Sequence, residues 1–270
     1  MKHLNEISSK KNFWEVDWID LWNYKDLLFL FVKRDFISVY KQTILGPLWF
    51  FIQPVFTTII FTIIFGQLAE ISTDGLPKIL FYMSGITCWN YFSDCLNKTS
   101  NVFISNAPIF GKVYFPRLII PISIVISNLI KFGIQFLLFI GFLFYYKILG
   151  VNIQTNVYIF ILPLLIILMA GLGLGLGILI SSLTTKYRDL QFLVGFGVQL
   201  FMYATPIVYP LSLAKEKLGE FSWVLLANPM TPVIEAMKFS FLGEGYFSWA
   251  YLLYSFSFMI LLLLFSIIIF

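Results

Sequence analysis

Two ionisable side chains stand inside long apolar stretches of this sequence, Asp94 at 79–97 and Lys131 at 118–146. A lysine this deep in a membrane span costs about 3 kcal/mol unless it is paired or hydrated, so such groups mark proton relays or polar cavities. We predict that Lys131 faces an internal cavity; pairing with carbonyls or polar side chains between helices is the alternative. Asp94 is its nearest acid by topology, but the helical rise places it about 10 Å closer to the cytoplasm. Proton-coupled transport is therefore one hypothesis.

Other groups with catalytic chemistry are scarce. The single histidine is His3, in the N-terminal tail, and the sequence has neither a Cys/His/Asp cluster with metal-ligand spacing nor a GxSxG motif. Cys88 and Cys95 lie two turns apart on one predicted helix, about 10 Å from each other. A disulfide spans less than about 7 Å between Cα atoms, so we expect free thiols. We expect no catalytic residue, no metal site and no cofactor in this chain.

The glycine-rich run AGLGLGLG at 170–177 resembles a phosphate-binding loop only superficially, because no Lys-Ser or Lys-Thr follows it. Its two offset pairs, Gly171/Gly175 and Gly173/Gly177, instead have the spacing of small residues that let another helix approach closely. We predict that this run packs helices together.

The composition of the chain indicates which kind of secondary structure carries Asp94, Lys131 and the glycine run. The chain is 59% hydrophobic and 12% charged, whereas soluble domains are about half apolar and a quarter charged. This composition indicates an all-α polytopic membrane protein, and its charge of +4 does not indicate a nucleic-acid partner. The N-terminus lacks the apolar core and cleavage site of a signal peptide, so we expect insertion through the chain's own spans.

Six apolar stretches approach the roughly 20 residues that a membrane span needs. They lie at about 47–66, 79–97, 118–146, 157–182, 190–209 and 247–270. Twelve Lys and Arg residues fall before the first stretch or in the loops on the same side, against five on the other side. Positively charged loops stay in the cytoplasm, so both termini are predicted to be cytoplasmic. We divide the chain into a cytoplasmic N-terminus, 1–46, and one transmembrane domain, 47–270.

Residues 14–40 show helical periodicity, with Trp22, Phe29 and other apolar residues on one face and charges mostly on the other. Leu27, Leu30 and Phe31 interrupt the polar face. This pattern is typical of a helix that lies in the headgroup region; a soluble helix packed on a partner is the alternative. Further on, Gln53 and Pro54 stand near the start of the first span, where lipid disfavours both.

The segment 210–246 is the longest loop and is predicted to form two short amphipathic helices on the outer face. The second begins at Asn228-Pro229, ends at Gly243 and has Glu235 and Lys238 off its apolar stripe. Such helices re-enter the membrane edge or cap a cavity.

Several motifs together carry a family resemblance. They are FVKRDFISVYKQTILGPLWFFIQP (31–54), GITCWNYFSDCLNKTSNVFISNAPIFGKVYFPRLIIP (85–121), YRDLQF (187–192), TPIVYP (205–210) and NPMTPVIEAMKFSFLG (228–243). In order and spacing the chain resembles the membrane subunit of type 2 ABC transporters, in the branch that exports polysaccharides such as O-antigen, capsule and teichoic acid. The resemblance covers nearly everything after about residue 20.

This resemblance implies a permease in the inner membrane of a bacterium: a homodimer of six-span subunits joined to two separate ATPase subunits, which bind ATP and Mg. It implies that residues 14–32 form an interface helix touching the ATPase and that the external loop holds two gate helices. It implies a coupling helix in the loop 98–117, at Ser105, Asn106, Pro108, Phe110, Lys112 and Tyr114. It implies gate residues at Asn228, Pro229, Met230, Pro232, Glu235 and Met237.

The first and fifth spans would line the conduit for a lipid-linked glycan. Aromatic rings bind sugar faces weakly and repeatedly, as a conduit requires. The candidate lining residues are Trp49, Phe50, Gln53, Phe56, Lys131, Tyr203 and Tyr209. We predict that Gln53 and Pro54 both point toward the conduit. A lipid diphosphate requires basic groups near the cytoplasmic leaflet, and the candidates are Arg34, Lys41, Arg117 and Arg188.

Two features depart from the family pattern. Pro108 and Gly111 interrupt the coupling segment, so we expect a shorter helix there. The sequence given ends at Phe270 within an apolar run, without the charged tail expected after a last span. An ABC exporter of a drug or lipid with the same fold is the alternative function, besides the proton-coupled transporter.

Overall fold

The computed structural model describes residues 18–41, 44–187 and 189–269. In these ranges the chain is helical and contains no strand. The helices are α1 (Trp18–Asn23), α2 (Lys25–Tyr40), α3 (Trp49–Phe61), α4 (Lys78–Ser100), α5 (Val102–Ser105), α6 (Ala107–Phe110), α7 (Ile119–Ile148), α8 (Leu162–Lys186), α9 (Leu190–Tyr203), α10 (Leu211–Leu218), α11 (Trp223–Ala227), α12 (Thr231–Leu242) and α13 (Trp249–Ile269). A π-helical extension, Thr62–Leu68, continues α3.

Within the described ranges, four helical segments are long and apolar enough to cross a membrane. They are Trp49–Leu68, Ile119–Ile148, Val157–Lys186 and Trp249–Ile269. These agree with four of the six predicted stretches. The second predicted stretch is a helix of 23 residues, α4, whose polar side chains lower its mean hydropathy. The fifth, α9, has 14 residues and is about 20 Å long, shorter than the roughly 30 Å hydrocarbon core of a bilayer.

The helix α4 lies at the centre of the bundle and packs against α3, α7, α8, α9 and α12. Its hydroxyl residues are tolerated there because several bond within the helix; Ser84, for example, donates to the Phe81 carbonyl at 2.8 Å. Both cysteines on α4 are buried free thiols, as predicted. A polar helix of this kind is surrounded by protein rather than lipid.

The glycine run of α8 packs helices on two sides, as predicted. A Cβ added at Gly173 would lie 2.8 Å from Cys95 Cβ on α4, and one at Gly175 would lie 2.9 Å from the Leu262 side chain on α13. Gly177 repeats the contact with α4 and Gly171 the contact with α13. Each offset pair therefore serves a different neighbour of α8.

The face that α2 buries coincides only in part with the predicted one, since Val32 of the predicted apolar face is buried but so is Phe31. Phe31, which the periodicity assigned to the polar side, is only 4% exposed, whereas Phe29 on the predicted apolar face is 64% exposed. Phe31 packs with Val102, Phe115, Ile119, Ile120 and Ile124 in a separate hydrophobic cluster. The exposed Trp22 and Phe29 form a second apolar surface. The helix therefore packs on its own chain and keeps an apolar side for lipid or a partner.

The segment 210–246 forms α10, a 3-10 turn, α11 and α12. The predicted boundaries of the second short helix are close to those of α12, whose C-cap Gly243 has a positive φ of 86°. A Cβ there would lie 2.5 Å from the Gln154 carbonyl oxygen, so both the conformation and the close approach require glycine. The prediction that Glu235 and Lys238 lie outside the packed face is wrong. Both are buried, because α12 is enclosed by α4, α8, α13 and the turn Val157–Ile161.

Candidate conduit and coupling site

Three polar pairs join α4 to α7 in antiparallel register, and we call them the polar ladder. They are Asn90 Nδ2 to Gln135 Oε1 at 3.3 Å, Asp94 Oδ2 to Lys131 Nζ at 2.7 Å, and Lys98 Nζ to Asn128 Oδ1 at 2.7 Å. The residues on α4 are four apart and therefore share one face. The ladder extends from the end of α4 that adjoins α2, the α2 end, to about the middle of the helix.

The prediction that Asp94 lies too far along the bundle to reach Lys131 is wrong, because the two helix ends are not level. Asn128 is about 13 Å from the first residue of α7 and Lys98 about 3 Å from the last residue of α4, at 1.5 Å per residue. Their contact shows that α7 extends about 10 Å beyond α4 at the α2 end. The extra turns of α7, at Ile119, Ile120 and Ile124, pack on α2. This offset brings Lys131 level with Asp94.

Lys131 is thus paired between helices, as the alternative interpretation held, but its partner is the Asp94 carboxylate rather than a carbonyl or a neutral polar side chain. Its side chain is 19% exposed and that of Asp94 27%. The pair is partly shielded and carries no net charge. Gln135 beside it keeps a buried Nε2 with no hydrogen-bond partner in the described chain. The sequence indicated this site through a lysine and an aspartate in consecutive apolar stretches. It did not show the register that brings the two side chains to the same level.

A groove of about 750 Å³, the α2 groove, opens at the α2 end between α2, the last turn of α4, α5–α6 and the second turn of α7. Arg34, Lys98, Asn101 and Ser105 are among its lining residues. Arg34 Nη2 lies 2.7 Å from Asp35 Oδ1. The groove adjoins the last rung of the polar ladder at Lys98.

The predicted coupling segment is two one-turn helices, α5 and α6, with Asn106 between them. Asn106 is buried; it donates to the Val102 carbonyl at 3.0 Å and accepts a hydrogen bond from Arg34 Nη1 at 3.4 Å. Pro108 occupies the first turn of α6, where its missing N–H costs nothing. The helix is short, as expected: α6 ends just before Gly111, as predicted, but the other interruption lies at Asn106 rather than at Pro108.

The other coupling residues differ in exposure. Ser105, Pro108, Lys112 and Tyr114 are exposed, whereas Phe110 is half-buried and packs at 5.5 Å from Phe115. The loop Phe110–Arg117 borders a second groove of about 440 Å³.

The predicted diphosphate ligands are not gathered in one place. Arg34 lines the α2 groove, and Arg117 lines the second groove beside Lys112. Lys41 is exposed at the end of α2, and Arg188 lies outside the described residues. Lys98, which the sequence did not single out, lines the α2 groove with Arg34.

At the opposite end of the bundle, the α12 end, the helix α9 stops early and residues 204–210 continue without regular structure. Polar groups inside a membrane protein need internal hydrogen-bond partners, and α12 with its flanking residues supplies them. Lys238 Nζ donates to the Pro206 carbonyl at 2.6 Å, and Asn228 Nδ2 donates to Thr205 Oγ1 at 2.9 Å. Gly85 of α4 lets this segment approach, because a Cβ there would lie 3.0 Å from Ile207.

The charge of Lys238 is balanced inside the protein. Glu235 Oε1 lies 3.3 Å from Lys238 Nζ, and the side chains are 3% and 1% exposed. Glu235 Oε2 also accepts a hydrogen bond from the Tyr246 amide at 3.0 Å. Burial lowers the pKa of Lys238, and the Glu235 carboxylate opposes that shift. The pair fixes α12 against the broken end of α9.

The remaining predicted gate residues belong to the same packed region. Asn228, Met230, Pro232 and Met237 are buried, and Pro229 is half-buried and accepts a hydrogen bond from Ser255 Oγ of α13 at 2.9 Å. The sequence feature that could have indicated the packing of α12 inside the bundle is its pair of oppositely charged residues, Glu235 and Lys238, three positions apart in an otherwise apolar helix.

The predicted lining residues of α3 divide between two faces. Trp49, Gln53 and Phe56 are exposed and share one face at helical spacing. Phe50 and Pro54 are buried on a different face, about 100° around the helix. The prediction that Pro54 points out of the chain together with Gln53 is therefore wrong, since adjacent helical positions are about 100° apart. Phe50 stacks on Phe36 at 6.0 Å and has no surface toward a conduit.

The helix α9 presents a similar exposed stripe. Phe196, Leu200 and Tyr203 are exposed along one side, and Val198 is its only buried residue in the described chain. Tyr209 is half-buried, and its hydroxyl donates to the Tyr203 carbonyl at 3.1 Å. The exposed faces of α3 and α9 thus carry four of the seven candidate residues, Trp49, Gln53, Phe56 and Tyr203.

An all-helical bundle with long apolar segments, a polar ladder inside it and aromatic faces outside it defines a polytopic membrane protein. Residues 26–242 match the ABC-2 type transporter family, and the chain belongs to this membrane family. Membership implies an ATPase partner.

Three relatives are similar over most of their length. Two O-antigen export system permease proteins RfbA of Klebsiella pneumoniae are 28% and 29% identical over 218 residues, which cover 81% of this chain and 81% of each relative. The RfbA permease of Myxococcus xanthus is 25% identical over 221 residues, again with 81% of both chains covered.

Proposed function

We propose that this chain is the permease of an ATP-driven exporter that moves a lipid-linked polysaccharide of the O-antigen kind across the inner membrane of a bacterium. The observation that carries the proposal is the family match over 26–242 together with three relatives named as O-antigen export permeases. Two copies of the chain would work with two ATPase subunits, on which ATP and Mg bind. Capsular polysaccharide is the nearest related cargo.

Six spans complete the proposed topology. The four long apolar segments cross the membrane, α4 crosses inside the bundle, and α9 crosses with the help of residues 204–210. The excess of Lys and Arg at the α2 end supports a cytoplasmic position for that end and for both termini. The α12 end then faces outward, where α10–α12 serve as the external gate.

The conduit is proposed to form between two subunits. The exposed face of α3 supports this arrangement, because it carries the Gln53 amide, and a polar side chain within a span faces protein or a water-filled cavity rather than lipid. Trp49, Gln53, Phe56 and Tyr203 would face the glycan there, and the aromatic rings would hold sugar faces weakly. The segment α5–α6 and the exposed side of α2 would contact the ATPase.

Reconstitution tests the function. The chain is purified with its ATPase partner, placed in proteoliposomes with a lipid-linked glycan, and assayed for ATP-dependent delivery of glycan to the opposite leaflet. We expect delivery that requires ATP hydrolysis and does not follow an imposed pH gradient. Transport driven by the pH gradient without ATP, or ATP-dependent transport of a drug or lipid with no response to glycan, would contradict the proposal.

Matched variants test the conduit. Phe56→Ala removes an exposed ring from α3, and Phe265→Ala removes a similarly exposed ring from α13. We expect Phe56→Ala to lower glycan delivery several-fold while Phe265→Ala leaves it unchanged. Equal effects of the two variants would show that the α3 face has no special role. Crosslinking of Phe196→Cys between subunits in membranes, in a variant without Cys88 and Cys95, tests the dimer independently.

A further inference from the structure

Lys98 is the cation in the α2 groove that lacks an acidic partner. In the part of the chain that the structure describes, the ion pairs join Arg34 to Asp35, Lys131 to Asp94 and Lys238 to Glu235. Lys98 instead donates to the neutral amide oxygen of Asn128, and the residue remains exposed. Its ammonium has three donors, so hydrogen bonds remain available to a ligand.

The charge of the groove therefore depends on Lys98. Arg34 is held by Asp35, to which its Nε also donates at 2.9 Å, and by Asn106. With this pair neutral, Lys98 supplies the surplus positive charge among the lining residues. The nearby Asn101 has a buried Oδ1 without a hydrogen-bond partner in the described chain. The groove thus offers a cation for anionic oxygens and an acceptor for a hydroxyl.

The depth of the groove suits a group carried by a lipid. Lys98 lies about 3 Å from the α2 end of α4, and α4, about 34 Å long, slightly exceeds the hydrocarbon core of a bilayer. Lys98 is therefore at headgroup level. Ile124 gives the groove an apolar wall, and the exposed Trp22 and Phe29 of α2 suit a helix at the membrane interface.

We propose that the α2 groove binds the phosphate groups of an anionic lipid, with Lys98 as the principal ligand and Asn101 accepting a hydroxyl beside them. This inference rests on the proposed function for its biological source, the diphosphate that links the glycan to its lipid. Ordinary phospholipid headgroups share the same chemistry. The site lies at the base of the polar ladder, so an occupied groove contacts the helix pair α4–α7 directly.

Binding to the purified chain in phosphatidylcholine nanodiscs tests the site. The probes are a polyprenyl diphosphate, phosphatidylglycerol and inorganic pyrophosphate, and affinity is measured by thermophoresis. Loss of a charge-assisted hydrogen bond predicts that Lys98→Met weakens polyprenyl diphosphate binding by about tenfold or more. We expect Lys98→Arg to retain most of the affinity. Lys186→Met, which removes an exposed lysine at the same end of the bundle, should bind as the unaltered chain does.

A second variant separates ligand binding from packing. Asn128→Ala removes the partner of Lys98 on α7 and keeps the charge, so we expect binding to persist. If Asn128→Ala loses affinity as much as Lys98→Met, Lys98 acts through the contact between α4 and α7 and the proposal is overturned. Unchanged binding in Lys98→Met overturns it as well. If that variant instead loses the ATPase subunit while all probes still bind, the groove is a protein-docking surface.

The source of the phosphate is decided by comparing the probes. If Lys98→Met weakens the binding of polyprenyl diphosphate more than that of the other probes, the groove recognises the cargo lipid. If it weakens only the binding of phosphatidylglycerol, the ligand is an ordinary phospholipid and recognition of the cargo lipid is overturned. These measurements use the chain alone and need neither ATP nor transport. A chain that binds the diphosphate through Lys98 but exports no glycan would contradict the proposed function and leave the binding site standing.

Discussion

The ion pair between Asp94 and Lys131 makes a quantitative prediction about stability. Replacing either residue alone, by Asp94→Leu or Lys131→Met, leaves the other charge inside the bundle without its partner. Breaking a fully buried pair costs about 3–5 kcal/mol. The side chains here are 27% and 19% exposed, so we expect each single variant to lose about 2–3 kcal/mol of unfolding free energy. Removing both charges should cost about 1 kcal/mol or less, since two apolar side chains fit a membrane span.

The measurement is a double-mutant cycle in mixed micelles. Unfolding of the four proteins by sodium dodecyl sulfate is followed by circular dichroism, and the interaction energy is the difference between the double variant and the sum of the singles. We expect about 3 kcal/mol or more, since the two single variants together lose at least about 4 kcal/mol and the double variant about 1; this corresponds to roughly 150-fold in the folding equilibrium. Lys147→Met at the other end of α7 is the control, because Lys147 donates to the exposed Thr155 hydroxyl and has no acidic partner among the described residues. Additive single effects would refute the reasoning, because they would show that the 2.7 Å contact does not couple the helices.

Three further substitutions test other contacts by the same unfolding assay. Gly177→Leu should destabilise the bundle by several kcal/mol, because even a Cβ there would lie 2.5 Å from Thr99; Gly195→Leu, with nothing within 4 Å of its Cβ, should be nearly neutral. Lys238→Met should lose about 3 kcal/mol by leaving the buried Glu235 unpaired, and an unchanged unfolding curve would contradict that account. Phe31→Ala should lose about 3 kcal/mol of unfolding free energy, because it leaves a cavity in the hydrophobic cluster that Phe31 forms with α7 and Phe115. A loss below about 1 kcal/mol would mean that other contacts hold α2 in place.

Sequence patterns predicted the apolar segments well because one physical rule governs them. The stretches around α3, α7, α8 and α13 must each supply about 20 apolar residues, and all four are found. The helix α4 is less apolar because it is covered by protein instead of lipid. The packing role of the glycine pairs of α8 could also be predicted, since close approach of two backbones requires small residues at a fixed spacing.

Facing and register were harder to predict, because they depend on neighbours that the pattern does not show. Phe31 is apolar on a side that also carries charges, and that side is buried because α7 extends beyond the end of α4 and because Val102 and Phe115 pack beside it. Glu235 and Lys238 seemed exposed because they are charged. In the structure they are buried because other helices enclose α12, and their charges are tolerated because they pair with each other and Lys238 also donates to the Pro206 carbonyl.

The contacts at the α2 end, where α7 extends beyond α4, also indicate which helices would move together if α5–α6 were displaced. The segment α5–α6 is tied to α2 by the contact of Asn106 with Arg34. The end of α4 is tied to α8, since Thr184 Oγ1 donates to the Ser100 carbonyl at 2.8 Å. Three rungs of the polar ladder then fix α4 to α7 up to mid-membrane. Because breaking a rung inside the bundle exposes a polar group to an apolar surrounding, displacement of α5–α6 would move α4 and α7 as one body.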